Sequence, residues 1–289
     1  MENNEIMTNR ALKRIDKKNH AKKFSALIFI WVMLLIMYLP IMYLVLYSFT
    51  DAKIIGQWTN FSLKNYITLF DPNNEDAQLI WKATWNTAWV AVVSSTLSTL
   101  LGTAGAIGMH YLNKKVKTAF NLATQIPIVN AEIVMALSLS ILFSFLKLDP
   151  SAFSLIIGHM VLTIPFVVIN VQPKLEQMDP SLYEAAMDLG ATRRDALFKV
   201  MIPDIIPGIL SGFMISLTLS LDDYVITEFT KPDSGDNFNT ISTYVQGTLA
   251  RGVPPQQLRS FTTILFLLIV GAMIAYSIIS NKKSKPKSN

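Results

Sequence analysis

The sequence predicts an all-α polytopic membrane protein with six transmembrane helices. Three observations carry that expectation. Of 289 residues, 51% are hydrophobic and only 16% charged, against about 25% charged in an ordinary soluble domain. The apolar residues gather into six long blocks, and about 20 mostly apolar residues suffice to cross a bilayer as a helix. The blocks also lack the alternation of spanning strands, which need only about 10 residues each. An ordinary soluble enzyme is thereby excluded. The chain has no cysteine, which removes disulfides, Cys-ligated zinc and thiol catalysis.

The first block, 24–49, follows a basic segment, 1–23. It is longer than the roughly 7–15-residue apolar core of a signal peptide and no small-residue cleavage site follows, so it reads as a retained anchor. The second block is 86–111, with Trp58, Trp81, Trp85 and Trp89 clustered around its entrance, where indole rings favour the headgroup level. Gly102, Gly105 and Gly108 lie in this block. No strand precedes them and no Lys-Ser/Thr follows, so they indicate close helix packing rather than a phosphate loop. The third block is 121–146, the fourth 152–171, the fifth 205–226 and the sixth 261–280, followed by a basic tail, 281–289. The membrane domain is thus expected over 24–280. Pro40, Pro127 and Pro165 fall inside blocks, where each removes a backbone hydrogen bond and is expected to kink its helix.

Charge sets the topology. With a cytoplasmic N-terminus, the inside segments hold Arg10, Lys13, Arg14, Lys17, Lys18, Lys22 and Lys23, then Lys114, Lys115 and Lys117. They also hold Lys174, Arg193, Arg194 and Lys199, and finally Lys282, Lys283, Lys285 and Lys287, making 18 of the 25 basic residues. Lys53, Lys64, Lys82, Lys147, Lys231, Arg251 and Arg259 lie outside. The positive-inside rule then places both termini in the cytoplasm. The net charge of +5 is a topology signal, and no nucleic-acid partner is expected.

The loop between the fourth and fifth blocks, about 174–207, is too polar to enter the bilayer. Asp179 can cap a helix with Pro180 at its first position. Leu182, Ala185, Ala186 and Leu189 then form an apolar stripe, and Gly190 supplies a left-handed stop. Thr192 and Asp195 resemble a capping box that restarts a second short helix, which Pro203 is expected to end. The small Ala185–Ala186 pair would let another protein approach closely. The chain has no G-x-x-x-x-G-K-[ST] phosphate loop, so a partner must supply energy or transport must be passive.

Three acids sit within the apolar blocks: Glu132 in the third, Asp222 and Asp223 in the fifth. No lysine or arginine lies inside any block. An acid at mid-bilayer costs roughly 2.5–3.5 kcal/mol and usually faces a cavity or a partner. Glu132 is expected near mid-depth of one helix and the Asp pair in the outer half of another. Adjacent helix positions differ by about 100°, so at least one Asp can face the interior. The counter-charge must come from another subunit, from the transported molecule, or be replaced by water. The expected substrate is a polycation passing along these acids, with Tyr224 adding a phenol or cation–π contact. The alternative for the Asp pair is hydration at the outer interface or a hydrogen bond to a neighbouring helix. His20, His110 and His159 are scattered and show no metal-ligand spacing.

The hairpin residues carry a resemblance. Glu184-Ala185-Ala186, Gly190 and Val200-Met201-Ile202-Pro203 match the E-A-A, G, I-x-L-P pattern of permeases of ATP-driven (ABC) importers, with aliphatic replacements at 200 and 202. The resemblance implies that Glu184, Ala185, Ala186, Gly190 and Pro203 dock the ATP-binding subunit and transmit its motion. Glu132-Ile133-Val134-Met135-Ala136-Leu137-Ser138 is similar to the spermidine/putrescine permeases, which usually carry Asp at the acidic position. Ile164-Pro165-Phe166-Val167-Val168, Leu219-Ser220-Leu221-Asp222-Asp223 and Arg251-Gly252-Val253-Pro254 are similar too. The chain looks like the second permease subunit of a polyamine importer, with the type I importer fold. That implies a bacterial inner-membrane location and a heterodimer with another permease. It further implies two ATPase subunits that bind ATP and Mg, and an external polyamine-binding protein met by loops that include Arg251. No cofactor is expected in this chain. A permease for ferric iron, phosphate or thiamine, or a passive cation channel, is the competing expectation.

Overall fold

The computed structural model describes residues 2–52, 56–232, 238–252 and 254–283. Among them there is no strand beyond one antiparallel bridge, Thr50↔Phe61. Five helices are long and apolar enough to cross a membrane, or six if one bent pair counts as a single span. Lys53, Val253, Lys285 and Lys287 lie outside the described residues.

The chain divides into two compact units. The first comprises Met1–Ala77 and Val253–Asn289. It contains α1 (Glu2–Ser48), α2 (Lys64–Leu69) and α12 (Gln256–Lys283). The helix of the first block therefore extends far beyond the apolar stretch, and its apolar surface from Phe24 to Leu39 is exposed. α12 begins before the expected 261 and carries Arg259 with it. Arg259 is buried and donates from Nη1 to the Ala52 carbonyl at 2.8 Å. It was expected in an outer loop. A guanidinium tolerates this position because it replaces lost hydration with a short bond to a main-chain carbonyl. Asn65 Nδ2 likewise donates to the Thr50 carbonyl at 2.9 Å, and Tyr66 Oη donates at 2.7 Å to Ser48 Oγ, whose own hydroxyl is given to the Val45 carbonyl.

The second unit, Gln78–Gly252, holds most of α3 (Glu75–His110). α4 (Lys114–Val129), α5 (Glu132–Phe145) and α6 (Ala152–Gln177) follow. Then come α7 (Pro180–Asp188), α8 (Arg193–Ala196), a π-helical turn (Leu197–Met201) and α9 (Ile202–Asp222). α10 (Val225–Thr230) and α11 (Ile241–Ala250) complete it. α6 is the central helix, with Leu155, His159, Leu162, Val167, Val171 and Leu175 buried along its length. Small residues bring neighbours close. A Cβ on Gly102 of α3 would lie 2.7 Å from Val167 Cβ, and one on Gly212 of α9 would lie 3.2 Å from Val167 Cα. Close packing therefore explains Gly102. Gly105 and Gly108 have nothing within 4 Å of such a Cβ, so no close packing among the described residues accounts for them.

Most hydroxyls buried along α3 are satisfied in one of two ways, Thr103 Oγ1 being the exception. Some return to their own helix, as Ser95 Oγ does to the Ala91 carbonyl and Thr99 Oγ1 to the Ser95 carbonyl at 2.7 Å. Others cross to a neighbour, as Ser98 Oγ does to Thr163 Oγ1 of α6 at 2.7 Å. Both arrangements pair the hydroxyls that make them within an apolar bundle.

Two expected spans are broken. The third block is a pair, α4 and α5, bent by 104°. Pro127 lies in the last turn of α4, and Asn130 and Ala131 are extended. Glu132 is therefore not mid-way along one helix but in the first turn of α5. The fifth block ends at Asp222, where Asp223 is extended at ψ 129°, and the chain restarts as α10.

Candidate functional site

The two breaks face one cavity of about 280 Å³. Pro127, Ile128 and Asn130 contribute the end of α4, and Glu132 and Met135 the start of α5. Leu162 and Phe166 of α6, with Thr218, Leu219, Asp222 and Asp223 at the end of α9, complete the wall. All three sequence-predicted acids are thus brought together, although 90 residues separate Glu132 from Asp222. No lysine or arginine lines the cavity. Tyr224, exposed at the break, is not among the lining residues.

The acids differ in environment. Glu132 and Asp222 are exposed, whereas Asp223 is buried. Asp223 Oδ1 accepts the Ile226 N–H at 3.1 Å, and Oδ2 accepts the Thr227 N–H at 2.8 Å and the Thr227 Oγ1–H at 2.7 Å. These are the orphan donors of the first turn of α10, so the carboxylate acts as that helix's cap. Sequence spacing treats 222 and 223 as two positions on one helix. The helix stop between them, absent from any hydrophobic pattern, separates their roles.

A second histidine-centred cluster lies behind the wall. His159 Nε2 is 3.0 Å from Thr227 Oγ1 and 3.5 Å from Asp223 Oδ2, and Nδ1 is 2.8 Å from Ser220 Oγ. Ser220 Oγ is in turn 2.9 Å from Ser94 Oγ of α3. His159 is fully buried. Its partners were not legible, because they come from two other helices and the break between them. The one sequence signal is a polar residue isolated within a long apolar run.

The hairpin is built as its turn chemistry dictates. Asp179 accepts the Ser181 N–H at 2.9 Å and Pro180 opens α7. That backbone bond holds the Asp179 carboxyl below its usual range. α7 closes in a Schellman motif, with Gly190 N–H on the Met187 carbonyl and Ala191 N–H on the Ala186 carbonyl, both at 3.0 Å. Gly190 has φ +87°, where a side chain would be strained. Thr192 Oγ1 accepts the Asp195 N–H at 3.2 Å and donates to Asp195 Oδ2 at 2.5 Å. Toward Thr192, the shorter Asp turns its carboxylate chiefly to the threonine hydroxyl.

Glu184 and Ala185 are exposed on α7, and Leu182 and Leu189 are 50% and 90% exposed. Tyr183 and Met187 of the same helix turn back instead, onto a groove that they share with Ile107, Tyr111, Arg193, Arg194 and Leu197. Pro203 does not end the second helix of the hairpin. It stands in the first turn of α9, where its missing N–H costs little, and the π turn carries α8 straight into α9. An extra residue in the turn accommodates the ring without breaking the rod.

The family described as "Binding-protein-dependent transport system inner membrane component" matches residues 18–285. The chain belongs to this family. Among curated relatives, the spermidine/putrescine transport system permease protein PotC of Escherichia coli K12 is 30% identical over 249 residues, covering 86% of this chain and 91% of that protein. The putrescine transport system permease protein PotI of the same strain is 28% identical over 256 residues, covering 86% and 88%. A solved bacterial ABC transporter involved in import of the acidic polysaccharide alginate has a chain similar in fold. Its TM-score is 0.64 at 16% identity, covering 91% of this chain and 97% of that one.

As an inner-membrane permease of a binding-protein-dependent system, the chain acts in transport rather than in covalent catalysis. In this permease Glu184, Ala185 and Gly190 occupy the outward part of the hairpin and Ala186 its half-buried side. Arg251 is exposed at the end of α11, donating from Nε to the Gly247 carbonyl at 3.2 Å.

Proposed function

We propose that this chain is the second permease subunit of an ATP-driven importer of polyamines. The observation that carries the reading is the cavity between the two helix breaks. Two exposed carboxylates, Glu132 and Asp222, share it and no cationic residue lines it. Unpaired acids within membrane helices are retained where a cation completes them. The ends of α4 and α9 add to this, because the last carbonyls of a helix have no intrahelical partner and carry partial negative charge. An anionic solute would meet repulsion from the same groups. The names of the relatives supply the same cation class.

In the proposed assembly the chain pairs with a different permease, and both termini are cytoplasmic. Two partner subunits bind ATP and Mg. An external binding protein delivers the polyamine to the outer surface that includes Arg251. Glu184, Ala185, Ala186 and Gly190 form the contact with the ATPase. Displacement of α7 and α8 passes through the π turn into α9, whose far end carries Asp222. One continuous rod thereby links the ATPase contact to the acid cavity.

The test is reconstitution with the partner permease, ATPase and binding protein, followed by uptake of putrescine, spermidine and anionic solutes. Glu132→Gln and Asp222→Asn should each raise the half-saturating polyamine concentration about tenfold, the equivalent of roughly 1.4 kcal/mol of lost charge interaction. ATP hydrolysis indifferent to the polyamine-loaded binding protein would sink the substrate assignment.

A further inference from the structure

The bonds around His159 determine where its proton resides. An ionised carboxylate only accepts, so Thr227 Oγ1, at 2.7 Å from Asp223 Oδ2, commits its proton there. Thr227 Oγ1 can then meet His159 Nε2 at 3.0 Å only as an acceptor. Nε2 must carry the ring proton. With the ring neutral, Nδ1 accepts from Ser220 Oγ at 2.8 Å, and Ser220 Oγ accepts from Ser94 Oγ at 2.9 Å. One run of donors therefore passes from α3 through α9, α6 and α10 and ends on Asp223. Each member is buried.

We propose that His159, as the neutral Nε2–H tautomer, is a positioning residue for transport. It clasps the end of α9 through Ser220 and the start of α10 through Thr227, fixing the break between them. Asp223 is thereby held on the backbone of α10, beside the Glu132 carboxyl, and Asp222 is left to face the transported cation. Asp223 is not a substrate ligand, although it lies in the cavity wall. The clasp also anchors the far end of the rod that begins at the hairpin, so cavity geometry depends on it during coupling. The identity of the cation rests on the polyamine reading; the Nε2 proton and the clasp rest on the hydrogen bonds.

Two measurements on the assembled transporter test this. The chain has three histidines, so nitrogen NMR of the histidine-labelled complex, assigned by loss of one signal in His159→Gln, reads the ring directly. The expected ring is neutral, protonated at Nε2 and bare at Nδ1. A proton on Nδ1, alone or in an imidazolium, overturns the proposal whatever the substrate.

The second measurement is a double-mutant cycle on polyamine uptake. His159→Leu and Asp222→Asn should each raise half-saturation about tenfold, and the double variant should stay near tenfold, because the clasp acts through Asp222. An additive loss of about a hundredfold overturns the positioning role. If His159→Leu does not assemble, His159→Gln keeps a donor toward Thr227 and should show about a threefold effect that vanishes in the Asp222→Asn background. Absence of polyamine uptake in the unaltered complex would refute the substrate reading, and the NMR result would still decide the tautomer.

Discussion

Alanine at Gly102 probes the closest approach between α3 and α6. The added Cβ would lie 2.7 Å from Val167 Cβ, 2.8 Å from Val167 Cγ1 and 3.3 Å from the Ile164 carbonyl. Carbon atoms pack at about 3.5–4.0 Å, so the overlap approaches 1 Å. Val167 Cβ is fixed to the backbone of α6 and cannot swing aside. α6 cannot retreat freely either, because Val167 is also pressed against Gly212 on α9. Overpacking of this kind costs about 1–3 kcal/mol, while replacing glycine by alanine inside a helix returns about 1 kcal/mol.

Gly105→Ala separates the two effects, since it shares the helix and meets nothing within 4 Å. Gly105→Ala should leave stability unchanged or raise it. Gly102→Ala should fall below it by about 1–3 kcal/mol, read as the difference in unfolding midpoint of the purified permease in one detergent. Equal stability of the two variants would refute the packing argument.

Three further outcomes are expected. Gly190→Val places a β-branched residue at φ +87°, which costs more than about 1–2 kcal/mol locally. The variant should insert normally yet lose polyamine-stimulated ATP hydrolysis, and undiminished stimulation would show that the turn does not set the coupling geometry. Asp179 has its carboxyl held low by the Ser181 N–H. Its contribution is therefore complete above the ordinary carboxylate value, near pH 4, and is lost as pH falls through the depressed one. Exchange of the Ser181 amide should accelerate over that acidic window and become insensitive to it in Asp179→Ala. Arg259→Met leaves the Ala52 carbonyl without its 2.8 Å donor, at a cost of about 1–3 kcal/mol. Faster proteolysis within 56–62 is the expected readout.

The hairpin was the most legible part of the site. Asp179, Pro180, Gly190 and Thr192 act through neighbours no more than a few residues away, so their roles follow from local backbone chemistry. The same holds for the apolar blocks, whose length against the bilayer needs no tertiary information. Pro203 was misread for the complementary reason. Proline ends a helix unless the preceding turn widens, and whether it widens depends on how α8 and α9 pack. Arg259 was misplaced because a window of hydropathy cannot see the Ala52 carbonyl that accepts from it.

The sequence by itself determined that this protein is helical with spans long enough to cross a membrane, where its polar hairpin turns, and that three acids lie in apolar surroundings. Composition, period and capping are local properties, and they are sufficient for those conclusions. Only the tertiary structure decided that the third and fifth spans break and that the breaks share one cavity. It also decided that adjacent aspartates differ in role, one exposed in the cavity wall and the other buried in it and capping a helix. Those assignments depend on donors and acceptors brought together across 60 to 130 residues of chain, as His159, Ser220 and Ser94 are. No reading along the chain can supply the distances that make them bonds.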